Sequence, residues 1–568
     1  YLNDYWTVKG QFSVTKKYSK SEKFIDPLSS KTSVTGSKDN NLAGDLYTTN
    51  GESLDWNSNA FLYYTRSFNK QHNLNVSAGW EAASGTTEST NAHYRGFPSG
   101  EFHSLNYAAE VYKKPTRTEN TTRRVSVLAS ANYTWNDIYL VDASVRFDGS
   151  SEFGANQKWA PFFSGGLGVN IHNYDFFKSN GYINKLKLRA SYGRTGKVNF
   201  PAYAATTMYE TLFDEWYITG YGAVLKALGN KDLTWEKTDK LSVGIETKTF
   251  HDRLTVDFEY YYNKTIDLVN DVTLSQTSGF STYKDNMGQV ANKGVELKLR
   301  ADIYRDRNWN VALWGNMAHN KNEILKISDS QKAYNERVAA YYKNEALYQE
   351  TLGLSHGAEY SVPLPQYEEG ASLTSIWAVR SLGIDPTTGK EIFLNRDGSI
   401  ADKWNAAQEV VVGNTEPKCS GAFGLNLSYK NWTLFASFLY EWGGQEYNQT
   451  LVNNVENADL VNKNVDLRVL TDRWKKPGDI AQFKDIKDRG MTTLPTSRFV
   501  QDKALVRLNS LNVSYDFNRD WIKKHLRMNL LRLEASTSDL INWSSIKQER
   551  GLSYPRSWKV EFSLKAQF

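Results

Sequence analysis

Cysteine is nearly missing from these 568 residues: Cys419 stands alone. A single thiol forms no intramolecular disulfide and no thiolate metal cage. Long apolar runs are missing as well. Mean hydropathy is −0.58, and no stretch approaches the roughly 20 apolar residues of a spanning helix, which excludes helical membrane insertion. Histidine is scarce and scattered. His72, His93, His103, His172, His251, His319, His356 and His525 fall at no metal-ligand spacing such as HExxH. A dominant charge is absent too: 68 Lys and Arg against 63 Asp and Glu leave +5, with no basic stripe for a nucleic-acid partner. GRTGK (193–197) is not a phosphate loop, because its first glycine sits too close to the Gly-Lys pair and no Ser or Thr follows Lys197. NRDGS (395–399) lacks the distal Glu of a calcium loop and reads as a turn. No nucleophile–base set stands out. The reading is a non-enzyme with no cofactor and no metal site.

What the chain has in excess is aromatic side chains, 14% of all residues, with 34 Tyr. Such an excess suits interfacial girdles, sugar-stacking surfaces, or both. Apolar and polar residues alternate in segment after segment. In WKVEFSLKAQF, Val560, Phe562, Leu564 and Ala566 oppose Glu561, Ser563, Lys565 and Gln567. Val125, Val127, Ala129, Ala131 and Tyr133 face away from Ser126, Ser130 and Asn132. The same holds around Val141–Asp148, Leu254–Asn263, Val295–Asp302 and Leu511–Phe517. Each predicts a strand between two different media.

The connections sort by length. Short ones fall near 69–73, 135–137, 250–253, 304–308, 430–431 and 518–526, with a longer turn at 171–183. Long ones fall near 19–53, 87–121, 195–235, 268–288, 323–418, 444–501 and 538–555, with a middling loop at 149–157. Short turns at one end and long loops at the other predict an all-β, antiparallel transmembrane β-barrel portion of about 16 strands. A soluble protein of this length would divide into several domains, whereas a membrane barrel needs no central apolar core. The segments 323–418 and 444–501 are too long for bare loops and are expected to hold structure of their own, including a hairpin within 380–399 turned at Pro386–Gly389. The start, YLNDYWTVKG, shows no signal-peptide pattern, and the expectation is a piece of a longer protein.

Several motifs resemble segments of SusC-like (SusC/RagA family) TonB-dependent outer-membrane transporters, in the family's order. They are VDASVRFDGSSEFG (141–154), LRASYGRTG (188–196), LTWEKTDKLSVGIE (233–246), SGFSTYKDNMGQVANKGVEL (278–297), WAVRSLGIDPTTGKEIF (377–393), VVVGNTEPK (410–418), DRWKKPGD (472–479) and SRFVQDKALVRLNSLNVSYDF (497–517). The family has a plug domain, a TonB box and a barrel of about 22 strands. The resemblance therefore implies the carboxy-terminal barrel part of such a transporter, without plug or first strands. EASTSDLINWSS (534–545) departs from the family's usual sequence after the penultimate strand.

The resemblance also implies TonB-dependent import of oligosaccharides or peptides across the outer membrane of a Gram-negative bacterium. It implies a SusD-like surface lipoprotein as lid, TonB engaged through the amino-terminal part, outer-membrane lipid around the barrel, and a dimer of transporter–lipoprotein pairs. Tyr203, Tyr209, Trp216, Tyr217, Tyr221, Trp377, Trp442 and Tyr447 are candidates for stacking on substrate from the outer loops; packing of loop against loop is the competing role. Asp142, Arg146, Asp257, Glu259, Glu296, Lys298 and Arg300 are expected to line the lumen, most of them as wetted wall or plug contacts. A passive porin and a soluble carbohydrate-binding β-protein are the alternatives.

Overall fold

The computed structural model describes residues 2–32, 42–178, 182–218, 220–273, 282–286, 288–343, 367–405, 408–460, 465–487, 493–517, 519–547 and 557–568. In chain order its strands are β1 (Trp6–Ile25), β2 (Asp45–Phe68), β3 (His72–Arg95), β4 (Glu110–Trp135), β5 (Tyr139–Ser150), β6 (Trp159–Asn170), β7 (Ile183–Lys197), β8 (Met208–Tyr217), β9 (Gly220–Ala227), β10 (Glu236–Thr249), β11 (Leu254–Ile266), β12 (Val269–Thr273) and β13 (Thr282–Asn286). They continue as β14 (Gln289–Arg305), β15 (Trp309–Lys326), β16 (Ser375–Ile384), β17 (Glu391–Leu394), β18 (Ile400–Ala401), β19 (Glu409–Asn414), β20 (Cys419–Tyr429), β21 (Trp432–Tyr447), β22 (Val500–Asp516), β23 (Leu530–Thr537), β24 (Asn542–Ser544) and β25 (Val560–Gln567). A 17-stranded sheet holds most of them, alongside a 4-stranded sheet and two 2-stranded ones. Without β24, only 3 residues long, the large sheet has the sixteen strands that the alternation predicts.

The chain divides into two compact units, residues 1–166, 193–237 and 269–286 in the first and the remainder in the second. In the first, β1 to β5 pair antiparallel in sequence order. The turns after β2 and β4 use left-handed backbone at Asn69 and Lys70 and at Asn136 and Asp137, the twist that tight hairpins require. The register carries one apolar row across all five strands: Val8, Leu62, Ala78, Ala129 and Val145 are successive partners. Toward the short turns the row becomes aromatic, with Phe68, His72, Trp135 and Tyr139 in line.

The segments 19–53 and 87–121, expected to be loops, are in large part strand. β1 runs on to Ile25 and β3 to Arg95, while β2 starts at Asp45 and β4 at Glu110. On β4 the apolar set spans Val125 to Trp135, about what crosses a bilayer as a tilted strand, yet the strand has 26 residues. The remainder, EVYKKPTRTENTTRR, is polar on both faces. Its alternation disappears because both sides are wet, while the ladder still satisfies the backbone groups. Ion pairs dress this extension: Lys16 to Glu52 at 2.8 Å and Arg117 to Glu88 at 2.6 Å.

The first unit buries a small aromatic core. Phe153 stacks on Trp235 with ring centres 4.2 Å apart, and Phe200 and Phe162 meet that pair edge-on. Leu233, Ala160, Ala205 and Val269 fill in around them. The Glu236 carboxylate accepts the Val269 N–H at 2.9 Å. The motifs SEFG and LTWEK thus meet in one core, which explains their residue types by packing. The long segments 195–235 and 268–288 carry the hairpins β8–β9 and β12–β13.

In the second unit β11, β14, β15, β20, β21, β22, β23 and β25 follow one another antiparallel. Val311, Leu427, Leu434, Val513, Ala535 and Phe562 make its apolar row. Trp309, Tyr429, Trp432 and Tyr515 make the aromatic row at the short-turn end. As expected, 323–418 and 444–501 hold structure: a helix at Asp329–Lys343, the β18-β17-β16-β19 sheet and several helical turns. Residues 344–366 lie outside the described residues. The expected hairpin turns where Gly389 N–H closes on the Asp385 carbonyl at 2.8 Å. Gly389 is left-handed, and a Cβ there would lie 2.5 Å from the Trp474 ring, so the turn doubles as the seat of that indole. Trp474 in turn donates its Nε1–H to the Pro386 carbonyl at 2.8 Å. The DPTTG and DRWKKPGD motifs are therefore two halves of one joint.

Candidate functional site

Opposite the apolar rows lies a polar face whose charges are largely compensated. In the first unit Arg146 reaches Glu81 at 3.0 Å and Asp148 at 2.5 Å, and donates to Ser126 at 2.8 Å. Asp142 stands across from Asn132. Gly166 makes room for it, since a Cβ there would come within 2.6 Å of the Asp142 carboxylate. In the second unit Asp257 faces Lys298, Glu259 faces Glu296 and Thr255 faces Arg300 across β11 and β14. Arg189 holds Asp257 at 2.9 Å and Glu259 at 2.6 Å, and Arg300 holds Asp302 at 3.2 Å. The expected charged residues thus share the polar face within each unit. Sequence reading passed over Arg189 and Glu81, which complete the two networks. Arg189 lies between Leu188 and Ala190 in an alternating strand, and that position was the available signal.

The aromatic candidates separate. Tyr209 and Tyr221 stand well exposed on the β8–β9 hairpin. Trp216 and Tyr217 have only their backbone described, in β8 with Trp216 paired to Tyr221 and Tyr217 to Gly220; their side chains lie outside the described set. Tyr203, in left-handed backbone, accepts the Thr121 N–H on its hydroxyl at 3.1 Å, so it ties its loop to β4. Tyr447 packs against the buried cluster of Leu451, Val452, Val455, Val469, Phe483 and Phe499. Trp442 is a strand residue: it pairs with Cys419 and Ala504 and shares the apolar face with Phe438 and Tyr440. It is turned away from the polar face.

Trp377 lines a hollow of about 310 Å³ together with Glu368, Arg380, Arg396, Val410 and Val411. Trp377 pairs with Val411 across β16 and β19, which sets the indole beside that valine, while Val410 pairs with Ala378. Arg396 is anchored through Nε on the Glu409 carbonyl at 3.0 Å. Arg380 is exposed, and its guanidinium has no partner among the described residues. A hollow lined by an indole, two arginines and a carboxylate offers stacking and charged hydrogen bonds together. Neither arginine was singled out by the sequence.

The loop sheet is braced by buried charge. Arg498 pairs with Glu456 at 2.7 Å and Glu391 at 2.9 Å, all three nearly excluded from solvent. Those carboxylates hold the guanidinium charged against the desolvation that burial imposes. Arg473 is spent on backbone carbonyls, those of Val469 at 3.2 Å, Lys484 at 3.0 Å and Glu456 at 2.9 Å. Burial pushes the Glu409 carboxyl up to about 7. Among the described residues no cluster of His, Cys, Asp or Glu is arranged to hold a metal ion.

Paired faces of opposite polarity, aromatic rows at the short-turn end and elaborated long connections define a membrane-spanning β-barrel protein. The family model described as TonB dependent receptor-like, beta-barrel, matches residues 1–530, and the chain belongs to that family of outer-membrane receptors, which are not enzymes. It is similar to TonB-dependent receptor P39 of Formosa agariphila, 26% identical over 566 residues, covering 90% of this chain and 53% of the relative. It is similar to TonB-dependent receptor SusC of Bacteroides thetaiotaomicron, 29% identical over 255 residues, covering 42% of this chain and 25% of the relative. Among solved structures, the RagAB peptide importer in its open-open state has a TM-score of 0.82 at 22% identity, covering all of this chain and 59% of that one. The likeness is one of fold. The chain spans about half the length, or less, of the curated relatives it matches.

Proposed function

We propose that these residues are the barrel portion of an importer in the outer membrane of a Gram-negative bacterium. The importer takes up oligosaccharides or peptides with energy delivered through TonB. TonB acts on the amino-terminal part of the full-length protein, outside these residues, and a SusD-like surface lipoprotein closes over the long-loop end. The observation that carries the reading is the joining, in one family of receptors, of a charge-compensated polar face with large folded outer segments. A simple diffusion pore has no need of a braced loop sheet. The names of the relatives and the fold likeness to a peptide importer support the same class of transport.

Within this reading the lumen is lined by Asp142, Arg146, Asp257, Glu259, Glu296, Lys298 and Arg300. Substrate meets the outer aromatics Tyr209 and Tyr221 and the Trp377 hollow with Arg380 and Arg396. The test is to purify the tagged full-length protein from outer membranes in mild detergent. A surface lipoprotein copurifying in equal amount supports the reading. A chain that comes out alone and conducts ions constitutively in planar bilayers overturns it in favour of a passive porin.

A further inference from the structure

Among the described residues, the turn between β22 and β23 is the one short-end connection built as a helix of two turns, Arg519–Leu526. Its sequence, RDWIKKHL followed by Arg527, concentrates positive charge: Arg519, Lys523, Lys524 and Arg527 against the single carboxylate of Asp520. Lys523, Lys524 and Arg527 are exposed and make no ion pair or side-chain hydrogen bond with any other described residue. One side chain, Ile522, is fully buried and pins the helix down. Trp521 and Leu526 are left 52% and 41% exposed. The Trp521 indole stacks on His525 with ring centres 5.1 Å apart, and the His525 ring is fixed by a 2.8 Å hydrogen bond to the Trp521 carbonyl.

The helix begins where the aromatic row ends. Tyr515 stands beside Trp432 at 4.8 Å and meets Phe517 edge-on at 5.1 Å. The Phe517 N–H bonds the Leu531 carbonyl at 3.0 Å, and Asn529 N–H bonds Gln567, so the helix is clamped at both ends to the strand termini. An aromatic row on a membrane strand marks the level of the lipid headgroups. A rigid, exposed helix placed there, with a Trp, a Leu and unpaired cations, matches what an anionic bilayer surface binds. The row and the helix are independent observations, one from strand register and one from exposure and charge.

We propose that the helix Arg519–Leu526, with Arg527, is an interfacial foot that binds the anionic headgroups of phospholipid in the leaflet at the short-turn end. Trp521 and Leu526 sit at the acyl boundary while Lys523, Lys524 and Arg527 meet the phosphates. The foot holds this end of the strands at a set depth, whatever the importer carries.

The test uses the full-length protein in detergent micelles, with phosphatidylglycerol or phosphatidylethanolamine added and bound lipid counted by native mass spectrometry. The wild type is expected to retain phosphatidylglycerol preferentially. K523Q, K524Q and R527Q are each expected to weaken that retention about fivefold. W521A keeps the charges and is expected to weaken both lipids alike. The cations are exposed and unpaired, so the charge variants keep the wild-type melting temperature in lipid-free micelles. A wild type that shows no preference between the two lipids, or a triple charge variant that retains phosphatidylglycerol like the wild type, overturns the proposal. So does a wild type that retains neither lipid, which would leave the surface to a protein partner.

Discussion

Arg498 shows how much of the outer architecture rests on single side chains. It sits between two carboxylates, and all three groups are nearly dry. Removing the guanidinium strands Glu456 and Glu391 as buried charges. Arg498→Met is therefore expected to cost about 3–5 kcal/mol of local stability, read as loss of amide-exchange protection in β17 and the turns around Val452–Glu456. Glu409 behaves in the opposite sense. Its carboxyl titrates near 7 in the fold against 4.5 for an ordinary Glu, so between those values the folded form holds a proton that the unfolded form has released. The loop sheet then loses stability as pH rises from about 4.5 to about 7. Glu409→Gln should flatten that dependence and gain on the order of 2 kcal/mol above neutrality, visible as slower exchange in β16 and β19 at pH 8 and little change at pH 4. Arg380 is free of structural duty. Arg380→Ala is expected to leave loop protection unchanged and to lower uptake affinity about tenfold if substrate reaches the Trp377 hollow. Unchanged affinity would remove that arginine from the proposed site.

Among the elements, strands were legible wherever one face meets lipid and the other water, because only then does the period of two show in the residue types. That is why the sixteen long strands could be counted while the upper halves of β1 to β4 passed for loops: Ser, Thr, Asn, Lys and Glu cover both of their faces. The hairpin at 380–399 was legible from its Asp-Pro-Thr-Thr-Gly turn chemistry, whereas the helices at Asp329–Lys343 and Arg519–Leu526 were not, having weak or short apolar periodicity. The face assignment has its own test. Leu425 lies on the apolar face between Leu313 and Ala436, and Asn426 next to it lies on the polar face. Leu425→Arg should destabilise folding into lipid vesicles by about 2–4 kcal/mol, and Asn426→Arg by far less. A larger loss for Asn426→Arg than for Leu425→Arg would mean that the faces have been assigned the wrong way round.

For the whole molecule, composition and loop sorting were enough to reach the barrel, and the ordered motifs were enough to reach the family. The candidate site was only half legible. Lumen charges announce themselves by alternation, but Arg189, Arg380 and Arg396 acquire meaning only once strands from distant parts of the chain lie side by side. Trp442 stands on the apolar face of β21, and an aromatic near a strand end reads the same in sequence whichever face it takes. Energy coupling has no signature in these residues, and it is the claim most in need of a direct measurement. Cells expressing the full-length protein would be given a mixture of oligosaccharides and peptides, and the compounds left in the medium identified by mass spectrometry. The same would be done for strains lacking this gene or lacking TonB. The account predicts that one set of compounds is consumed by the wild type and left behind equally by both deletion strains. Consumption that needs this gene but continues without TonB would contradict it and make the barrel a passive pore.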